Sequence, residues 1–182
     1  MMRSDVNKKI ILLTFISFGL LSAKPAESIL KEETAISDPT FKELHQYTEW
    51  RFSNVSRKKM RAAQELIPKV IEYANRFRLD PLLVAVVMHA ESSWKPTAYN
   101  PAKGERGLMQ VHGLAAKGFD LETIDGQINA GVSYLKFCIL SCGSIEGGLA
   151  LYQTGYKCEP FSLSKRRYRL YKNAVRKFRK NE

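Results

Sequence analysis

Residues 80–94 read DPLLVAVVMHAESSW. Asp80 followed by Pro81 is a strong helix start, with Asp as N-cap and Pro in the first helical position. The stretch that follows, Leu82–Ala90, is apolar almost all round. A helix of that kind has no face to offer water, so it must be buried on every side. The helix ends near Ser93-Trp94, with Pro96 just beyond.

What surrounds it is also helical. From Arg61 onward Ala62, Leu66, Val70, Ile71 and Ala74 fall at helical spacing, and Pro68 inside this stretch marks a start or a kink. A further helix covers Ile128–Leu140 and closes near Gly143, and Gly147–Tyr152 is apolar and helical. Ser164 is placed to N-cap a last helix over 165–181. Residues 95–107 read as an irregular loop or short hairpin, with short helical pieces at Gly107–Gly113 and Leu114–Phe119. The expected fold is mainly α, a compact helical domain with at most a small β element. The 182 residues, 45% hydrophobic and 26% charged, suit one globular domain with appendages. Three cysteines are too few for a disulfide-dense miniprotein. The only long apolar run, Ile10–Leu21, falls short of the roughly 20 residues a membrane helix needs.

The formal net charge of +11 invites a polyanion-binding reading, but its location is informative. Residues 1–23 carry Arg3, Lys8 and Lys9 against Asp5, and 165–182 carry nine Lys or Arg against Glu182, which leaves the body between them near neutral. The first segment is a basic stretch, then IILLTFISFGLL, then Ser22-Ala23. That is the pattern of an export signal, cut after Ala23 or Ala26, with a short uncleaved anchor or a buried helix as the alternative. No cysteine precedes Cys138, so lipid attachment at a mature N-terminus is not expected. The expected organisation is a signal peptide at 1–23, a loosely structured arm at 24–60, the main domain at 61–164 and a basic helix at 165–182. The arm is expected to hold one helix around Pro39–Phe52, docked through Trp50 and Phe52. The product is expected to be exported and to end up soluble or peripheral.

Glu91 stands out on physical grounds. It closes an apolar helix, where burial and the negative end of the helix dipole both disfavour its charged form. Both effects raise its pKa, which suits a general acid that stays protonated near neutral pH. The competing reading is a helix-end Glu reaching into solvent.

Four motifs widen this. The helix ends in Glu91-Ser92, followed by Trp94 and Pro96; then come Gly107-Leu108-Met109-Gln110-Val111, Ile128-Asn129-Ala130-Gly131 with Tyr134-Leu135, and Leu151-Tyr152-Gln153-Thr154-Gly155. In this order they resemble the lysozyme-like lytic transglycosylases of the soluble-lytic-transglycosylase type, over about residues 76–156. Gln153 stands where that family usually has Asn, and Leu151 where it has a small residue. The resemblance implies cleavage of the β-1,4 bond between N-acetylmuramic acid and N-acetylglucosamine in peptidoglycan. It implies Glu91 as the single acid and base, with a 1,6-anhydro product formed without water and no cofactor. It makes Ser92, Met109, Gln110, Tyr152 and Gln153 the substrate-binding residues. Ser92 would orient the acid, Met109 and Gln110 would line the cleft, and Tyr152 would hydrogen-bond near Glu91. Trp94, Tyr99 and Tyr134 are candidates for stacking on sugar faces, against a plain core role. Glu105, Asp120, Glu122 and Asp125 lie near enough in sequence for one to be a second acid, which would make the protein a hydrolytic muramidase on the same fold. A non-catalytic wall-binding or assembly protein is the reading from a different class.

Export permits a disulfide. Cys142–Cys158 is preferred, since it would tie a helix end to the segment after Tyr152; Cys138–Cys158 is the close alternative. His89 and His112 lie outside any metal-ligand pattern, and no metal is expected. In the tail, Tyr168, Tyr171, Val175 and Phe178 mark one helix face. The tail is either a packed terminal helix with a solvated basic side or a device for attraction to anionic wall polymer or membrane headgroups. Nucleic acid is disfavoured by the compartment. The small size leans towards local wall opening for secretion, pilus or conjugation machinery.

Overall fold

The structure, a computed structural model, describes residues 38–179. The signal segment 1–23 and residues 24–37 of the arm lie outside the described residues. Within them the chain forms α1 (Pro39–Phe52), α2 (Arg57–Gln64), α3 (Ile67–Arg76) and α4 (Pro81–Ser92), then β1 (Tyr99–Asn100) and β2 (Glu105–Arg106). A 3-10 turn at Gly113–Ala116 precedes α5 (Ile124–Cys142), α6 (Ile145–Thr154) and α7 (Ser162–Phe178). The fold is mainly α, with β1 and β2 pairing antiparallel as its small β element.

α4 is the axis of the core. Its apolar composition has the consequence anticipated for it: every residue from Leu82 to Met88 is at most 1% exposed. Asp80 caps it, accepting from the Leu82 N–H at 2.9 Å. α1, α3 and α7 pack directly against it. Pro68 sits in the first turn of α3, where its missing N–H costs nothing, so the apolar pattern from Arg61 is carried by two helices, not one. Thr123 and Ser144 cap α5 and α6, and Gly143 and Gly155 close those helices in the left-handed conformation that glycine adopts freely.

Three expectations change. In the arm, α1 lies over Pro39–Phe52 with Phe52 in the core and Trp50 packed against it, as expected, but a second helix, α2, follows it and Leu44 and Tyr47 are fully buried too. Gly107–Gly113 is not helical but a tight turn closed by a bridge between Arg106 and Val111. The last helix starts at Ser162, because Ser164 acts from inside the first turn, its Oγ accepting from the Phe161 N–H at 3.0 Å.

Cys142 and Cys158 are joined in a disulfide with Cα atoms 5.5 Å apart. It ties the end of α5 to the loop between α6 and α7. Cys138 keeps a buried thiol, pushed up to about 11 by burial, and acts as a small apolar core residue beside Tyr134. No helix among the described residues is long and apolar enough to cross a membrane.

Candidate active site

The site is built on one turn, Gly107–Gln110, held from all sides. Leu108 and Met109 are fully buried. Ser92, the last residue of α4, donates to the Leu108 carbonyl at 2.7 Å. Tyr152 of α6 donates to the Met109 carbonyl at 2.7 Å. Gln127 of α5 accepts from the Leu108 N–H at 3.0 Å. Gln110 folds back, its Nε2 donating to the carbonyls of Gly107 at 2.8 Å and Ala98 at 3.2 Å. Three side chains in this region sit on left-handed backbone: Ser93 (φ 52°), Trp94 (φ 64°) and Gln110 (φ 49°). Non-glycine residues pay a conformational cost there, and they persist because the surrounding contacts leave no alternative.

Beside this turn lies a cleft of about 860 Å³, lined by Glu91, Glu105, Gln110, Tyr134, Tyr152, Gln153 and Arg167 among others. A larger groove of about 1010 Å³ runs between α1 and the end of α7, but its buried carboxylate, Glu43, is already engaged by Arg179. The chemistry therefore points to the smaller cleft.

Glu91 occupies the penultimate position of α4 and its side chain is 15% exposed. Burial pushes its pKa above the ordinary carboxylate value; the Arg167 guanidinium opposes this, Glu105 adds to it, and Lys103 weakly opposes it. Burial wins, so Glu91 favours its protonated form more than a free glutamate does. Arg167 bonds the Glu91 carboxylate directly. It comes from α7 and was not among the residues singled out in the sequence. A signal for it exists: Arg167 shares a helix stripe with Tyr171, the fully buried Ala174 and Phe178, so a charged residue interrupts the inward face.

The candidates divide. Glu91, Gln110, Tyr152 and Gln153 come together at the cleft. Met109 does not line it; it is fully buried and packs against Gly131. Tyr152 reaches the Met109 carbonyl and not Glu91, although its ring borders the cleft. Ser92 faces the turn. Both polar atoms of the Gln153 amide are buried without a protein partner. Of the aromatic candidates, Trp94 is core at 3% exposed, whereas Tyr134 borders the cleft and stacks with Phe137, ring centroids 6.3 Å apart. Of the four further acids only Glu105 lines the cleft, where it accepts from Asn100 Nδ2 at 2.7 Å. Asp125 instead meets Lys69 and Tyr73, Glu122 meets Arg106, and Asp120 supports a local turn. Among the described residues no group of three or more His, Cys, Asp or Glu could hold a metal ion.

A helical core with one buried glutamate at a helix end, opening on a polar cleft with an aromatic border, is the architecture of the lysozyme-like glycan-cleaving domains. A family model for the transglycosylase SLT domain matches residues 68–174. The match covers more than half of the chain and takes in the cleft and most of α7, and the protein belongs to this family. Curated proteins and solved structures yield no match.

Proposed function

We propose that the protein is an exported peptidoglycan lytic transglycosylase that cleaves the bond between N-acetylmuramic acid and N-acetylglucosamine, with Glu91 as acid and base. The observation that carries this is Glu91 itself: a carboxyl at the end of a buried helix, facing the cleft, held towards its protonated form by burial. Family membership supports the lytic-transglycosylase class of activity.

In the first step Glu91 gives its proton to the glycosidic oxygen as the bond from the muramic acid C1 breaks. The substrate's own acetamido carbonyl stabilises the cation at C1. Glu91, now a carboxylate, takes the proton of the C6 hydroxyl as that oxygen bonds to C1. The 1,6-anhydro ring closes, no water is consumed, and Glu91 ends protonated. Gln153 lines the same cleft, and the Tyr134–Phe137 pair offers a flat face to a sugar ring. The disulfide supports export into an oxidising compartment.

Glu105 in the same cleft is the specific observation for a hydrolytic second reading, since ordinary glycosidases use two carboxylates. Mass analysis of muropeptides from purified peptidoglycan separates the two. Transglycosylation leaves anhydro ends that lack one water; hydrolysis leaves reducing ends. Glu91→Gln is expected to lower activity by about 10³-fold or more, in the range general acid–base catalysis supplies. Glu105→Gln is expected to keep forming anhydro ends. Reducing ends from the native protein, lost in Glu105→Gln, would establish the hydrolytic reading instead.

A further inference from the structure

We infer that Arg167 positions Glu91 and tunes its proton affinity, which makes the basic C-terminal helix part of the catalytic machinery. This rests on Glu91 being the acid and base proposed above.

The placement of Arg167 follows from helix register. α7 runs antiparallel along α4 and is fastened to it at both ends. At one end Asp80, the N-cap of α4, accepts from Tyr171 at 2.6 Å and from Arg179 Nη2 at 2.7 Å. At the other, Arg167 meets Glu91. Tyr171 and Arg179, two turns apart on α7, both reach Asp80, so α7 is held against the start of α4. Arg167, one turn before Tyr171 on the same face, meets the carboxyl at the end of α4. The Arg167 side chain is 11% exposed; its Nη1 meets Glu91, and its Nε is buried with no protein partner. Glu91 is thus the one protein group that holds the guanidinium in the cleft wall among the described residues.

The chemistry explains why a cation belongs there. In a mechanism with one carboxyl, the same group gives a proton and then takes one. Burial alone serves the first step and penalises the carboxylate needed for the second. A guanidinium against the same oxygen stabilises that carboxylate without competing for the proton, because arginine does not deprotonate. The other groups that face Glu91 are Glu105 and Lys103 of the hairpin, which oppose each other at 3.7 Å, and the Tyr152 ring of α6. None of them contacts the Glu91 carboxylate as Arg167 does.

The test uses the full chain with Arg167→Met and Arg167→Lys, and Glu91→Gln as reference. The pH dependence of kcat/KM on purified peptidoglycan falls on the alkaline side as the acid loses its proton. Arg167→Met is expected to move that midpoint up by about one pH unit or more, as loss of an adjacent cation does for a carboxyl. Arg167→Lys, which keeps the charge, is expected to move it by less than half as much. A 13C titration of the Glu91 carboxyl, assigned by its absence in Glu91→Gln, is expected to show the same displacement without reference to turnover. Arg167→Gln replaces the Met variant if that does not fold, with the same expectation. Unchanged midpoints in both measurements, even with lowered activity, would overturn the inference and leave Arg167 a structural contact. An active Glu91→Gln would overturn the proposed function instead, since the carboxyl titration still reports the ion pair.

Discussion

Gly131 shows how tightly single residues are constrained around the cleft. A β-carbon built there falls inside the Met109 side chain, and the obstructing atoms include the Met109 Cβ and Cγ, which are close to the backbone and cannot swing away. Met109 in turn offers the carbonyl that Tyr152 bonds. Gly131→Ala is therefore expected to destabilise the protein by about 2 kcal/mol, within the range for overpacking a filled core. Urea unfolding measures this, and an unchanged midpoint would show that the turn relaxes freely. The same pair explains what was legible in the site. Glu91 stood out because it ends a mostly apolar helix, but a helix-end Glu reaching into solvent fitted the same sequence, and only the packing around it, which leaves the side chain 15% exposed, separates the two. Met109 was misplaced because a motif gives residue identity and not the direction a side chain faces. Its inward direction is set by Gly131 on a different helix. Arg167 was hidden among nine basic residues, and only its place on the 167–171–174–178 stripe distinguishes it.

At the level of elements, α7 changes the meaning of the basic tail. Arg167 and Arg179 point inward and bind Glu91, Glu43 and Asp80. Tyr168, Tyr171, Val175 and Phe178 pack against the core as their spacing suggested. Attraction to anionic wall polymer or headgroups would fall to the exposed Lys165, Arg166, Arg169, Lys172, Arg176 and Lys177. The Arg179 clamp carries a definite pH dependence. Burial raises the Asp80 carboxyl and is the largest single effect, but hydrogen bonds from Arg179, Tyr171 and the Leu82 N–H together hold it below its usual value. A carboxyl that binds its proton more weakly folded than unfolded contributes stability above the unfolded pKa, near 4, and loses it as pH falls through the lower folded value. Arg179→Ala is expected to cost about 2 kcal/mol at pH 7. That is less than the loss of a fully buried partner, because the guanidinium is 36% exposed. The gap to the native protein should narrow between pH 5 and 2, which unfolding at several pH values would reveal. A gap independent of pH would show that Arg179 acts by packing alone.

The whole molecule is organised around one requirement visible in the chain, the burial of α4 on every side. The helices from Ile67 onward follow readable rules of spacing and capping. In the arm, α1 falls where its sequence placed it, over Pro39–Phe52, whereas α2 was not read because Ala63 is its one buried residue. The core contacts of α1 are Leu44, Tyr47, Thr48 and Phe52, a narrow stripe that needs no long apolar run. The disulfide completes the arrangement. Cys142 and Cys158 lie 16 residues apart and enclose all of α6, with Tyr152 and Gln153 inside the loop. α7 begins just beyond it, so the bond restrains the chain that carries both Gln153 and Arg167 to the cleft. Closing a loop of this size stabilises by about 3 kcal/mol when the effect is on the unfolded chain. Replacing both cysteines by serine avoids leaving a half-paired thiol near Cys138. The double variant is expected to unfold at lower urea, with a loss of about 3 kcal/mol. Its cleavage of peptidoglycan, measured well below the transition, should fall far less than in Glu91→Gln, because the buried faces of α6 and α7 still seat those helices. A loss of activity as large as that of Glu91→Gln, in a variant shown to be folded, would mean that the disulfide itself sets the cleft geometry.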